Sequence, residues 1–109
     1  MVMEINVSEM KRVQLFEVIG RVDSTNASEL GAALDRAADE GRTRMVLDRS
    51  RVDYMSSAGL REMVRVLKRV KRGGGDLRIA NPSERVKEVL ELAGLDTIFE
   101  IYPTQVEAV

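Results

Sequence analysis

Two adjacent hydroxyls, Ser56 and Ser57, stand at the head of a run in which Leu60, Met63, Val64, Leu67 and Val70 recur at helical spacing. Serine is a favoured N-cap, and unpaired backbone N–H groups and the positive end of the helix dipole gather at that point. The chemistry open to a hydroxyl there is acceptance of a phosphate. The helix terminus would stabilise the new anion, which places roughly -1.5 to -2 charges on a neutral surface, enough to break a fitted interface. Nucleophilic catalysis would instead need a base beside the serine. The chain has no His and no Cys, and its carboxylates, lysines and tyrosines stand at no recognisable spacing from these serines. Asp48 and Asp53, five positions apart, are thin grounds for a cation site. No GxxxxGK(S/T) phosphate loop is present, and Gly73-Gly74-Gly75 reads as a helix terminus and turn. These residues point to binding, with no enzyme activity, cofactor or metal expected.

The elements that position the serines follow from periodicity. Met3, Ile5 and Val7 alternate with polar residues, predicting a strand with one wet face; Ser8 to Arg12 turns the chain into a more apolar strand over 13–19, ended by Gly20. So short a connection makes the pair an antiparallel hairpin. After the polar entry Val22 to Asn26, Ala27, Leu30, Ala33, Leu34, Ala37 and Ala38 form the apolar stripe of a helix that Gly41 ends. A strand over 44–48 follows, then a loop over 49–57 and the helix already described. A strand over 77–80, a helix with Pro82 in its first turn, a short edge strand over 98–101 and a C-terminal turn of helix complete the order β-β-α-β-α-β-α-β-α. Strand–helix–strand units make the sheet mostly parallel, and crossovers repeated without reversal put the helices on one side. The second face is expected to be thinly covered.

The 109 residues suit one domain, 44% hydrophobic and 32% charged, with seventeen basic and eighteen acidic side chains. A net charge of -1 gives no global pull toward nucleic acid or an anionic membrane. Seven basic residues between Arg61 and Arg78 against two acidic ones, Glu62 and Asp76, read as the wet face of a helix. No apolar run approaches the ~20 residues of a membrane span, and no basic leader precedes an apolar stretch, so the expected location is the cytoplasm.

Gly20-Arg21-Val22-Asp23, the long segment from Met45 to Leu60, and the glycine-terminated helix before Leu77-Arg78-Ile79 together resemble the STAS domain family, specifically the small bacterial anti-sigma factor antagonists. The resemblance covers roughly residues 3 to 107, and the chain is expected to be a single STAS domain over 1–109. It implies an α/β fold with a small mixed, mostly parallel sheet of four to five strands and helices mainly on one face. It also implies a protein–protein switch. The dephosphorylated antagonist binds an anti-sigma factor serine kinase and releases the sigma factor; phosphorylation at the start of the second helix ends the complex, and a PP2C-type phosphatase reverses the mark. The antagonist is expected to be a monomer when free.

The family's usual pattern there is aspartate, serine, serine or threonine, glycine, leucine. On this chain the aspartate position is Ser56, the next serine is Ser57, and the usual acceptor position is Ala58, followed by Gly59 and Leu60. Alanine carries no hydroxyl. Either Ser57, or secondarily Ser56, is the acceptor, or the domain is a phosphorylation-independent scaffold or subunit of a larger signalling assembly. Asp23, Ser24, Thr25 and Asn26 leave the neighbouring strand, and with Tyr54, Met55, Ser56, Ser57, Ala58 and Gly59 they are the candidate partner surface. The sigma pathway and its stimulus are not encoded in these residues.

Overall fold

The computed structural model describes residues 3–109. Five strands lie in chain order: β1 (Glu4–Met10), β2 (Val13–Val22), β3 (Arg44–Met55), β4 (Asp76–Ala80) and β5 (Ile101–Tyr102). β1 and β2 pair antiparallel, and every later neighbour is parallel. The hairpin turn is tighter than the expected 8–12. Lys11 and Arg12 both take positive φ, 49° and 68°, the two-residue geometry whose twist matches the flanking strands.

Helices α1 (Ala27–Asp39), α2 (Ser57–Arg72) and α3 (Glu84–Leu92) pack on one face. Leu30, Leu34, Met63, Val66, Val86 and Leu90 are fully buried there against Phe16, Val18, Met45, Leu47, Leu77 and Ile79 of the sheet. Alternation sends Val13, Leu15 and Val46 to the opposite face, where the short α4 (Gln105–Ala108) covers them through Ala108, with Tyr102 and Val109 packed beside it. The expected mixed sheet, mostly parallel with helices mainly on one side, is the observed one.

The largest departure lies in β3. The loop expected over 49–57 is strand as far as Met55. Glu17 pairs with Asp48 and Ile19 with Arg51, then Gly20 with Val52 and Arg21 with Tyr54. β3 therefore gains an extra residue on β2 twice, as two bulges, and each bulge breaks the two-residue alternation that marks a strand in sequence. Two smaller corrections concern the C-terminal third. α3 begins at Glu84, with the Ser83 hydroxyl accepting from the Val86 N–H at 3.3 Å, so Pro82 precedes the helix instead of sitting in its first turn. A 3-10 turn over Leu95–Thr97 delays the edge strand to 101–102, and buried Phe99 packs as core.

Candidate functional site

β2 and β3 are parallel neighbours, so their carboxyl ends emerge side by side. Val22 pairs with Met55, and the Ser56 N–H donates to the Val22 carbonyl at 2.8 Å. The turn that enters α1 and the turn that enters α2 thus form one corner, as the topology predicts. Both run into helix N-termini.

The two serines divide the labour at that corner. Ser56 is the N-cap of α2, in extended geometry, and its Oγ accepts from the Gly59 N–H at 3.3 Å. Ser57 is the first residue of the helix and is exposed. Ala58 is half-buried and packs against the core. Gly59 is buried and close-packed: a Cβ built there would run into Met55 Sδ and lie 2.8 Å from Val22 Cγ1. Met55 is itself 4% exposed. Met55 and Gly59 therefore shape the corner from beneath, whereas the expectation counted them among contact residues.

On the α1 side, Asp23 Oδ1 accepts from the Thr25 N–H at 3.0 Å and from the Thr25 hydroxyl at 2.6 Å. Those bonds, the hydroxyl's first, hold the Asp23 carboxyl below its ordinary range, so it is an anion at the surface. Asn26 occupies the N-cap position of α1 without bonding a helix N–H. Its side chain instead accepts from the Asp23 N–H and donates to the Arg21 carbonyl, both at 2.9 Å, lacing the turn closed. Ser24 and Thr25 are exposed.

One participant escaped the sequence reading. The Arg21 guanidinium lies 4.3 Å from the centroid of the Tyr54 ring and 3.8 Å from Asp23 Oδ2. It links the two turns and steadies an aromatic side chain that is 37% exposed. The signal was present in the Gly20-Arg21-Val22-Asp23 segment, but only strand pairing puts Arg21 opposite Tyr54.

The carboxylates considered for a cation do not converge. Asp48 is buried on the α4 side, accepting from the Ser50 N–H at 3.0 Å, from Asn81 Nδ2 at 3.2 Å and from Gln105 Nε2, while Asp53 is exposed. Among the described residues no group of three or more acidic side chains is placed to hold a metal, and no helix is long and apolar enough to cross a membrane.

The STAS domain family model matches residues 4–108. BtrV of Bordetella bronchiseptica is 42% identical over 82 residues, covering 75% of this chain and 71% of that protein. The anti-sigma-B factor antagonist of Bacillus subtilis is 33% identical over 84 residues, covering 77% and 76%. A Thermotoga maritima crystal structure superposes with a TM-score of 0.90 at 28% identity, covering 95% of this chain and 90% of its own. A family match from β1 to α4, with relatives of 42% and 33% identity over about three quarters of the chain, shows that the chain belongs to the STAS domain family, in the company of bacterial anti-sigma factor antagonists.

Proposed function

We propose that this protein is a cytoplasmic anti-sigma factor antagonist that binds an anti-sigma factor serine kinase through the paired turns at the β2 and β3 ends, and that phosphorylation of Ser57 ends the complex. It acts by binding, as a regulatory domain and not an enzyme. The observation that carries the reading is the contrast between the serines: Ser56 is committed to capping α2, while Ser57 presents its hydroxyl outward at the helix N-terminus. A phosphate on Ser57 would meet unpaired backbone N–H groups of the first turn. It would also place new negative charge beside the anionic Asp23 turn, changing the field a partner must match.

The contact surface is formed by Asp23, Ser24, Thr25, Asn26, Tyr54, Ser56, Ser57 and Ala58, with Met55 and Gly59 supporting it from below. A PP2C-type phosphatase restores the binding form. Incubation with the cognate kinase and ATP, followed by phosphosite mapping, should place one phosphate on Ser57. Ser57→Ala should bind the kinase and stay unmodified, and Ser57→Asp should bind it weakly. A phosphate found on Ser56 would move the acceptor, and tight binding without any phosphate would remove the switch. Ala58, at the family's usual acceptor position, favours one second reading: a constitutive scaffold within a larger signalling assembly, which would appear as a high-mass complex indifferent to ATP.

A further inference from the structure

Helix α2 carries two rows of cations, and only one of them is neutralised. Arg65 and Arg69 turn toward α1. Arg65 meets Asp35 Oδ2 at 2.8 Å and Glu62 at 2.9 Å; Arg69 meets Asp35 Oδ1 at 2.8 Å and also reaches Asp39. Arg61, Lys68, Lys71 and Arg72 turn the other way, are exposed, and have no carboxylate within salt-bridge distance among the described residues. Their spacing, i, i+7, i+10 and i+11, is one face of a helix.

That second row borders two open depressions of ≈ 520 Å³ and ≈ 680 Å³ which share Val64 and Lys68 and so form one groove. Its floor is apolar, built from Leu60, Val64 and Leu67 of α2, and its far wall is Leu95 with Ile98, the latter 43% exposed. No acidic side chain lines either depression. From Arg61 to Arg72 the groove runs about 17 Å along α2, at ~1.5 Å per residue, the length of roughly three turns of helix.

We infer that this groove, whose α2 N-terminal end reaches Ser57 and so adjoins the first surface, is a second interaction surface, and that its occupant is an acidic amphipathic helix of a partner protein. An apolar stripe on that helix would cover Val64 and Ile98 while flanking carboxylates meet Arg61, Lys68, Lys71 and Arg72. The apolar floor distinguishes this from a nucleic-acid patch, and the concave form, walled by Leu95 and Ile98, fits a helix better than a flat bilayer. The row that α1 already neutralises shows the chemistry on the same helix: Arg65 and Arg69 take the carboxylates of Asp35 and Asp39 from α1, a parallel neighbour. The inference does not rest on the Ser57 switch.

The test needs no kinase, so its failure leaves the proposed switch standing. A stapled helical peptide of about four turns, with leucines on one face flanked by glutamates, is titrated into the full chain at low salt and followed by amide chemical shifts. The staple removes the nucleation cost of so short a helix. Shifts should concentrate at Arg61, Val64, Lys68, Leu95 and Ile98. Raising the salt from about 0.05 to 0.3 M should weaken binding several-fold, and the exposed double variant Lys68→Glu/Lys71→Glu should weaken it at least about tenfold. A peptide with lysines for the glutamates should not bind. Equal binding of that lysine peptide, shifts elsewhere, or shifts nowhere would overturn the inference. So would phosphatidylserine vesicles binding the groove while the peptide does not, or a concentration-dependent dimer that Lys68→Glu disperses, since the occupant would then be lipid or a second copy.

Discussion

Ser56 and Ser57 have the same side chain and differ by one position, yet the fold gives them opposite work. Ser56 satisfies a backbone donor, so Ser56→Ala should lower stability by about 1 kcal/mol, whereas Ser57→Ala should stay within ~0.5 kcal/mol of wild type; urea denaturation of the two variants measures both. Ser57→Ala alone should abolish phosphorylation. A second residue-scale feature is Arg49, fully buried on the helical side of β3. Among the described residues its Nη1 bonds the Met63 thioether, while its Nε and Nη2 have no hydrogen-bond partner. Burial pushes the guanidinium down to about 9, so at neutral pH it remains a cation within the apolar core. Arg49→Met keeps the volume and removes the charge, and should raise the unfolding free energy by about 1–3 kcal/mol. Neither residue's role is visible from its type. Serine before a helix suggests capping first and modification second, and an arginine in a polar stretch suggests exposure.

At the scale of elements, α1 and α2 are joined by a buried seam and an exposed charge ladder, and the two contribute unequally. Leu34 is fully buried against the sheet, and Leu34→Ala should cost about 2–5 kcal/mol through lost burial and the cavity left behind. Asp35 beside it accepts from Arg65 and Arg69. The Arg65 bond is the largest influence; burial, the next, opposes it, and the Arg69 bond and the two positive charges add to Arg65 to hold the carboxyl below the ordinary range. These groups are largely solvated, the arginines being 46% and 40% exposed, and water screens their attraction. Asp35→Asn should therefore cost less than about 1 kcal/mol, a loss that shrinks further in salt; thermal unfolding of both variants at two salt concentrations checks the ranking. Helical stripes of this kind were legible from residue spacing in α1, α2 and α3. The far half of β3 was not. Its pairing partners, Ile19 to Val22, lie 32 or 33 residues away, and two bulges interrupt the alternation that would have revealed it.

For the whole molecule, the sheet has one well-covered face and one that α4 guards, and that guard is anchored by the Asp48 carboxylate and by Arg78, whose Nη1 donates to the Ala108 carbonyl at 3.1 Å. Asp48 accepts from the Ser50 N–H within β3 and joins that strand to Asn81 and Gln105. Burial raises its pKa, but the Ser50 N–H, Gln105 and Asn81 together outweigh burial and hold it below 3.8. A depressed carboxyl contributes stability that is complete above the unfolded value near 3.8 and disappears as the pH falls through the lower folded value. Acidification below about 4 should loosen α4 before the helical core, seen as faster amide exchange at Ala108 and Val109, whose N–H groups bond Thr104 and Gln105. Asp48→Asn should exchange faster there already at neutral pH and lack the acid step. The basic stretch from Arg61 to Arg78 makes the same point about long-range order. In sequence it is a solvated helix face; in the fold, α1 neutralises part of it and leaves the rest lining an apolar groove.

The amino-acid sequence by itself determined the class of fold and the kind of function. Periodicity orders the strands and helices, the absence of Cys and His removes the usual catalytic groups, and the segment from Met45 to Leu60 carries the family resemblance. Those are local properties, written in neighbouring residues. Tertiary structure alone decided which serine is spent on the backbone, which arginine is buried, which carboxylate helps to hold α4, and which cations of α2 meet the carboxylates of α1. Each of these depends on what a residue far along the chain places beside it, and only parallel pairing and helix packing bring those residues together.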